Sequence, residues 1–484
     1  MPPRKTTSGK SAPRRSTARK APAKKSEDPI AQEASDRIEA YRALAGRIAS
    51  RDDKVRRPKQ LTGHDRRVHV RSTIREDHAL RISRRSYGAK AKFDTLADDL
   101  FKFFRGTALL FYLDMVGEDG DMPTVMALGD VHPSNFGIMP DENGAPIFGV
   151  NDFDESIYAP FTWDLRRGAV GFFLAARLKG DLKRKKARKV VAKFVKGYLK
   201  AMERYAADAT EKNDAWRMDN SPKIVRKLFE EAWEERKAWL WDDYLSENGR
   251  GFRPDDELQP LSSEVPKFQK AINSLARKNK IKKGGRAGAL KVKDVCVRHG
   301  QGTASLGLPR YYVLLEGPSE DATDDLIIEF KTARLSALEG LTPPSEFNAG
   351  EKAERIAHAQ SVQLAHGDVF YGSIAIEGES YMTRERAPFR DDINLGDLKT
   401  KQWKAYATAC GAALAQSHAL SDDLGQVDYD MEPAIGAAAS PRKLFVADLL
   451  ALTEEAVDRL KRDHAMFRED HALGAFDEVE MVYR

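Results

Sequence analysis

A chain of 484 residues, 41% hydrophobic and 32% charged, is long enough for two or three domains with a sizeable core. The formal charge of +6 does not argue for a nucleic-acid enzyme, because residues 1–25 hold nine Lys or Arg and no acid, which leaves about −3 for the rest. Two cysteines, Cys296 and Cys410, exclude a disulfide framework or a thiolate metal motif and point to a reducing cytoplasm, and the longest apolar run, near 168–178, is too short to span a bilayer.

Residues 1–28 are rich in Lys, Arg, Pro, Ser and Ala and contain no aromatic. Such a segment buries too little apolar surface to offset its ordering entropy, so it is expected to be a disordered basic tail. It either solubilises the chain or makes a weak anionic or nucleic-acid contact. No apolar core follows it, so no signal peptide is expected. Residues 29–60 look helical, 61–95 look basic and irregular, and 96–116 carry apolar residues at helical spacing. Three short strands follow in "TVMALG", "FGIM" and "PIFGVND", with the Asn143-Gly144 pair of a hairpin turn between the last two. From Phe161 to about 205 the pattern is helical, and 205–275 reads as charged, Trp-bearing helices, one of them in "SSEVPKFQKAINSLARK". A basic, Gly-containing linker at 278–288 marks a boundary. Beyond it lie strands in "KDVCVRHG", "RYYVLLEG" and "DDLIIEFKTA", a helix at about 348–366 and strands near "GSIAIEGESYMTRER". Helices at "KQWKAYATACGAALAQSHAL" and 441–470 close the chain.

The chemistry-bearing stretch is "GDVHPSNFGIMPDENGAPIFGVNDFDE". Phosphoryl transfer needs one carboxylate at the acceptor, and an amide and a second carboxylate on magnesium. Asp130 and Asn135 stand in the D-x-x-x-x-N spacing of kinase catalytic loops, and after the hairpin Asp152 opens "DFDE". Asp154 is either a further magnesium ligand or a cap on the following turn. A nucleotide-gripping half is missing upstream but present downstream. In "CVRHGQGTASLGLPRYYVLLEG", Gly300, Gly302 and Gly307 allow the backbone to approach an anion. Lys331 then lies on the strand "LIIEFKTA", and a helical glutamate partner is sought at Glu351 or Glu354, with Glu354 preferred as further inside the helix. A rival "AHGDVFYGS" offers Asp368, but Ser373 stands where Asn is needed and no Asp-Phe-Asp segment follows.

"GDVHPSNFG" is similar to the H-G-D-x-H-P-x-N loop of aminoglycoside and choline phosphotransferases. That resemblance implies Asp130 as catalytic base, Asn135 and Asp152 as magnesium ligands, Asp164 as the buried Asp that braces the loop, and His132 as a loop-organising residue. "FFRG", "NDFDE…FTWDL", "GTASLG" and "LIIEFKTAR" together resemble the bacterial family called domain of unknown function twenty-two fifty-two, grouped with the protein-kinase-like superfamily. Arg105 of "FFRG" either faces the acceptor or the phosphates, or pairs structurally with a carboxylate near the loop. The expected fold is α+β, a protein-kinase-like two-lobe fold with circularly permuted order. The expected regions are the tail at 1–28, a helical and catalytic-loop region at 29–285, a nucleotide-gripping β region at 286–395, and helices at 396–484. The expected activity is ATP- and magnesium-dependent phosphotransfer to a hydroxyl, with a small-molecule acceptor favoured. A nucleotide-binding regulatory module and a protein nucleotidyltransferase are the alternatives.

Overall fold

The computed structural model describes residues 29–52, 54–79, 87–232, 235–299, 309–319, 322–388 and 393–477. It is an α+β structure. Two small sheets sit among helices. In one, β1 (Thr124–Ala127) pairs antiparallel with β4 (Ile157–Pro160). The other is the hairpin of β2 (Phe136–Pro140) and β3 (Pro146–Val150), with Phe136 opposite Val150. Its turn forms where Asn143-Gly144 predicts it. Asp141 Oδ1 accepts from the N–H groups of Asn143 and Ala145, both at 2.8 Å, and Gly144 takes φ 81°. A left-handed residue at that point is what glycine supplies without strain.

A six-stranded antiparallel sheet has the order β5 (Leu258–Pro260), β6 (Val292–Arg298), β7 (Arg310–Leu315), β8 (Leu326–Thr332), β10 (Glu379–Arg386) and β9 (Gly372–Ile376). Period-2 alternation sorts its side chains. Val313, Ile328 and Phe330 pack with Phe268, Ile272 and Leu275 of the helix Val265–Lys278, whose buried residues recur at helical spacing. Tyr312, Leu314 and Ile327 face the other way, toward Trp239, Leu240 and Tyr244. The helices that cover the sheet, and β5 itself, therefore precede residue 286. The packed unit begins near Arg236, so the sequence boundary at 286 falls inside it. The composition of 278–288 misleads because it is a connection within the unit, between the covering helix and β6.

The remaining helices share one large core. Two of them, Arg184–Asp208 and Thr400–Asp423, touch backbone to backbone. A Cβ on Gly197 would meet the Thr408 carbonyl, and one on Gly411 the Phe194 carbonyl, each closer than real Cβ contacts come. This approach lets the Tyr198 hydroxyl reach His418 Nδ1 at 2.8 Å, which matters for the site below.

Two expectations fail upstream. Residues 61–95 are not irregular: helices span Gly63–Asp77 and Tyr87–Asp98. Their basic composition misleads because Arg66 is buried, 2.6 Å from both Asp114 and Asp463, and so serves the interior. The first helix, Pro29–Ala49, stops short of 60, where Arg51 adopts φ 58°.

The glycine contact yields a test. Gly411→Ala forces the two helices apart and should lower stability by about 1–3 kcal/mol, the usual cost of overpacking. A urea midpoint equal to wild type would show that the close approach is dispensable.

Candidate active site

The loop carrying Asp130 is fixed by its backbone. Leu128 and Gly129 N–H groups donate to Asp164 at 2.6 and 2.9 Å, and His418 Nε2 lies 3.0 Å from the same carboxylate. Asp164 sits inside the first turn of the helix Phe161–Leu178, whose cap position is Pro160, so it serves the loop rather than capping the helix. The Tyr112 hydroxyl donates to the Gly129 carbonyl, and the Tyr406 hydroxyl donates to the Pro133 carbonyl at 2.8 Å. Gly129 has φ 80°, and a Cβ there would strike the Glu155 backbone. The side chains that hold the loop come from three helices, Ala108–Leu113, Phe161–Leu178 and Thr400–Asp423, so the loop conformation depends on their packing.

Asp130 itself is not free. Arg167 Nη2 and Nε donate to Oδ1 at 2.8 and 3.1 Å. The Arg167 guanidinium is fully buried, stacks 3.7 Å above the Phe104 ring and donates to the Phe104 carbonyl. Burial raises the Asp130 carboxyl, but the charges and hydrogen bonds of Arg167 and His132 together outweigh it and hold the group well below the usual carboxylate range. His132 Nε2 accepts from Arg105 Nε at 2.9 Å. Burial, helped by the Arg105 charge, pushes His132 down to about 4, so the ring is neutral at pH 7. Arg105 thus organises the loop and also lines the cleft. Asn135 Nδ2 donates to the Asp130 carbonyl at 2.8 Å, which keeps its Oδ1 as an acceptor.

On the far side of the chain, β8 delivers Lys331. Its ammonium is buried, forms an ion pair with Asp154 and lies 3.9 Å from Asp152 Oδ1. Burial raises the Asp154 carboxyl, and the charge and hydrogen bond of Lys331 together with the charges of Arg384 and Arg310 outweigh this and lower it. The Oδ1 atoms of Asp152 and Asp154 are buried with no hydrogen-bond partner. Arg310 is the cross-strand neighbour of Lys331, and Arg384 that of Glu329. Glu329 bridges them, 3.0 Å from Arg310 and paired with Arg384. One face of the sheet therefore presents three cations beside the carboxylates of the "NDFDE" segment. A cleft opens here, lined by Arg105, Asp130, Asp152, Asp154, Glu155 and Arg334 among others.

The structure thus gathers Asp130, Asn135, Asp152, Asp154 and Lys331 into one region. It does not bring Glu354 to Lys331. Glu354 is exposed in the first turn of the helix Lys352–Gln363. Its neighbour Arg355 reaches the site instead, donating to the carbonyls of Asp154 and Ser156. Gly300, Gly302 and Gly307 lie outside the described residues. Asp368 belongs elsewhere: Arg286 donates to it at 2.7 Å, and its Oδ2 accepts from Glu385 N–H. Burial and the neighbouring Glu385 push Asp368 up to about 7.

A model of a bacterial family, described as "Uncharacterized protein conserved in bacteria (DUF2252)", matches residues 84–470. The chain belongs to that family. No curated protein and no solved structure matches the chain. The matched span contains every residue of the cleft named above and leaves the Gly63–Asp77 helix outside it. Arg167, Arg310 and Arg384 were not found from sequence, since a strand or helix arginine carries no mark of burial. The one available signal was position: Arg310 opens the strand after the glycine-rich segment.

His132 generates a pH test. The unfolded imidazole titrates near 6.5, and the folded one near 4. Between those values the unfolded chain binds the extra proton, so this group removes stability as pH falls from about 6.5 to about 4. His132→Gln should therefore lose stability less steeply than wild type over that window. Parallel stability curves would contradict the buried neutral imidazole.

Proposed function

We propose that this protein is an ATP- and magnesium-dependent phosphotransferase with a circularly permuted, kinase-like arrangement, acting on a hydroxyl of a small molecule. The observation that supports this most is the meeting of two segments far apart in sequence. Lys331 of β8 pairs with the "NDFDE" acids, and these share a cleft with Asp130. In chain order the Asp130 loop precedes the sheet with its lysine, the reverse of the usual kinase order.

In this reading Lys331, Arg310 and Arg384 supply positive charge to the polyphosphate. The orphaned oxygens of Asp152 and Asp154, with Asn135, fit a hard divalent cation. Asn135, Asp152 and Asp154 would hold magnesium, which neutralises phosphate charge when bound. Asp130 orients the acceptor hydroxyl. Its depressed carboxyl makes it a weak ground-state base, so its contribution is positioning and charge stabilisation, as loose phosphoryl transfer demands. Burial pushes the neighbouring Glu155 carboxyl upward.

The Arg167 clamp on Asp130 favours a second reading, a nucleotide-binding module without turnover. One set of measurements separates the two. Calorimetry should detect magnesium-ATP binding to wild type, weakened at least tenfold, ~1.4 kcal/mol, by Lys331→Ala and by Asp152→Asn. Asp130→Ala should keep binding and abolish ADP formation in a pool of small hydroxyl compounds. Absence of binding by wild type would refute both readings, and binding without any ADP formation would leave only the second.

A further inference from the structure

Away from the cleft, carboxylates converge where the helix Thr400–Asp423 ends and the helix Met431–Ala438 begins. Asp422 and Asp423 come from the last turn of the first helix. Asp430 and Glu432 flank the start of the second. Glu211 arrives from the segment after the helix Arg184–Asp208. One carboxylate oxygen each from Asp422, Asp430 and Glu432 lies within 4.8 Å of the others. Lys212 sits 2.5 Å from Asp423 and neutralises it. Among the described residues Asp422, Asp430, Glu432 and Glu211 form no direct ion pair with Lys or Arg, and Lys212, already paired with Asp423, acts on Glu211 and Asp422 only from further off. The helix dipole adds to the problem, because its negative end faces Asp422. Asp430 stands at the cap position of its helix, yet its side chain makes no capping hydrogen bond.

An independent observation points to a ligand. Glu211 is only 4% exposed, and its Oε2 has no hydrogen-bond partner. Its carboxylate faces Asp422, Asp423 and Glu432. A buried carboxylate oxygen turned toward other carboxylates, with nothing to bond, needs a cation or a shared proton.

We propose that Asp422, Asp430 and Glu432, with Glu211 behind them, form a binding site for a hard divalent cation, with calcium as the best fit. The donor set is all oxygen, which excludes the softer metals. Several carboxylates with no phosphate among them suit calcium, which takes many oxygens in a flexible geometry, whereas magnesium usually keeps its waters and takes only one or two carboxylates. Exposed Asp430 leaves room for water ligands on one side. The ion ties the turn at 424–430 to the segment after residue 208, which Gln416 also holds by donating to the Glu211 carbonyl at 2.8 Å. It acts as a structural brace on the helix carrying His418, and it does not rest on the nucleotide reading.

The test uses the full chain, stripped with a chelator and free of nucleotide. Calcium alone, and magnesium alone in a parallel run, are titrated by calorimetry and followed by thermal melting. Wild type should bind one calcium more tightly than magnesium and melt at a higher temperature with it. Asp430→Asn, an exposed substitution that leaves the core intact, should weaken calcium at least tenfold and lose most of the melting shift. In the calcium titration alone, Asp152→Asn in the cleft should bind with wild-type affinity. No heat and no melting shift in wild type would mean that the acids share protons instead, and would overturn the proposal. Unchanged calcium binding in Asp430→Asn, or loss of binding in Asp152→Asn, would overturn it too, the latter by placing the ion in the cleft.

Discussion

An ammonium group buried in a sheet face must be paired, and at Lys331 the pairing partner comes from outside the sheet. Asp154, on the segment after β3, supplies it, with Asp152 close by. Removing one member of a buried pair leaves an unpaired charge at a cost of about 3–5 kcal/mol. The pair therefore acts as a joint between the six-stranded sheet and the helical core. Arg355 reinforces it by donating to the carbonyls of Asp154, Ser156 and Arg334. The cleft exists because this joint fixes where the sheet's charged face meets the Asp130 loop.

The other side of the cleft is held by a different kind of constraint. Asp164 collects two backbone amides and His418, and His418 is itself set by Tyr198. That chain of contacts runs through the glycine-mediated approach of two helices, one of which lies near the chain's end. The loop geometry thus depends on residues 254 positions apart in sequence, Asp164 and His418. Charge is organised in the same spirit. Cations on the sheet face oppose carboxylates on the loop side, so an anion with its own cation can enter without leaving either side unbalanced.

Much of this was legible in the sequence, for physical reasons. The hairpin at Asn143-Gly144 declared itself through turn chemistry, and β8 through its apolar, β-branched run. The types and order of Asp130, Asn135, Asp152 and Lys331 raised the expectation of phosphoryl transfer, and the structure brings these side chains into one region. What escaped was long-range. Glu354 was sought as the partner of Lys331 by helix position, but the acid nearest the ammonium sits on a loop that periodicity cannot place. Arg167 reads as one more helix arginine until Phe104 and Asp130 are seen around it. Residues 61–95 look irregular only while Arg66 has no visible partners. The boundary at 286 followed composition, whereas packing puts the helices covering the sheet on its near side.

The account stands or falls on whether Lys331 and Asp154 act as one unit in binding nucleotide. A double-mutant cycle with Lys331→Met and Asp154→Asn, read as magnesium-ATP affinity, measures that directly. The predicted result is strong non-additivity, a coupling of at least about 1 kcal/mol, because either substitution alone already breaks the joint. Additive losses, or no loss from either substitution, would contradict a shared site built from the two segments.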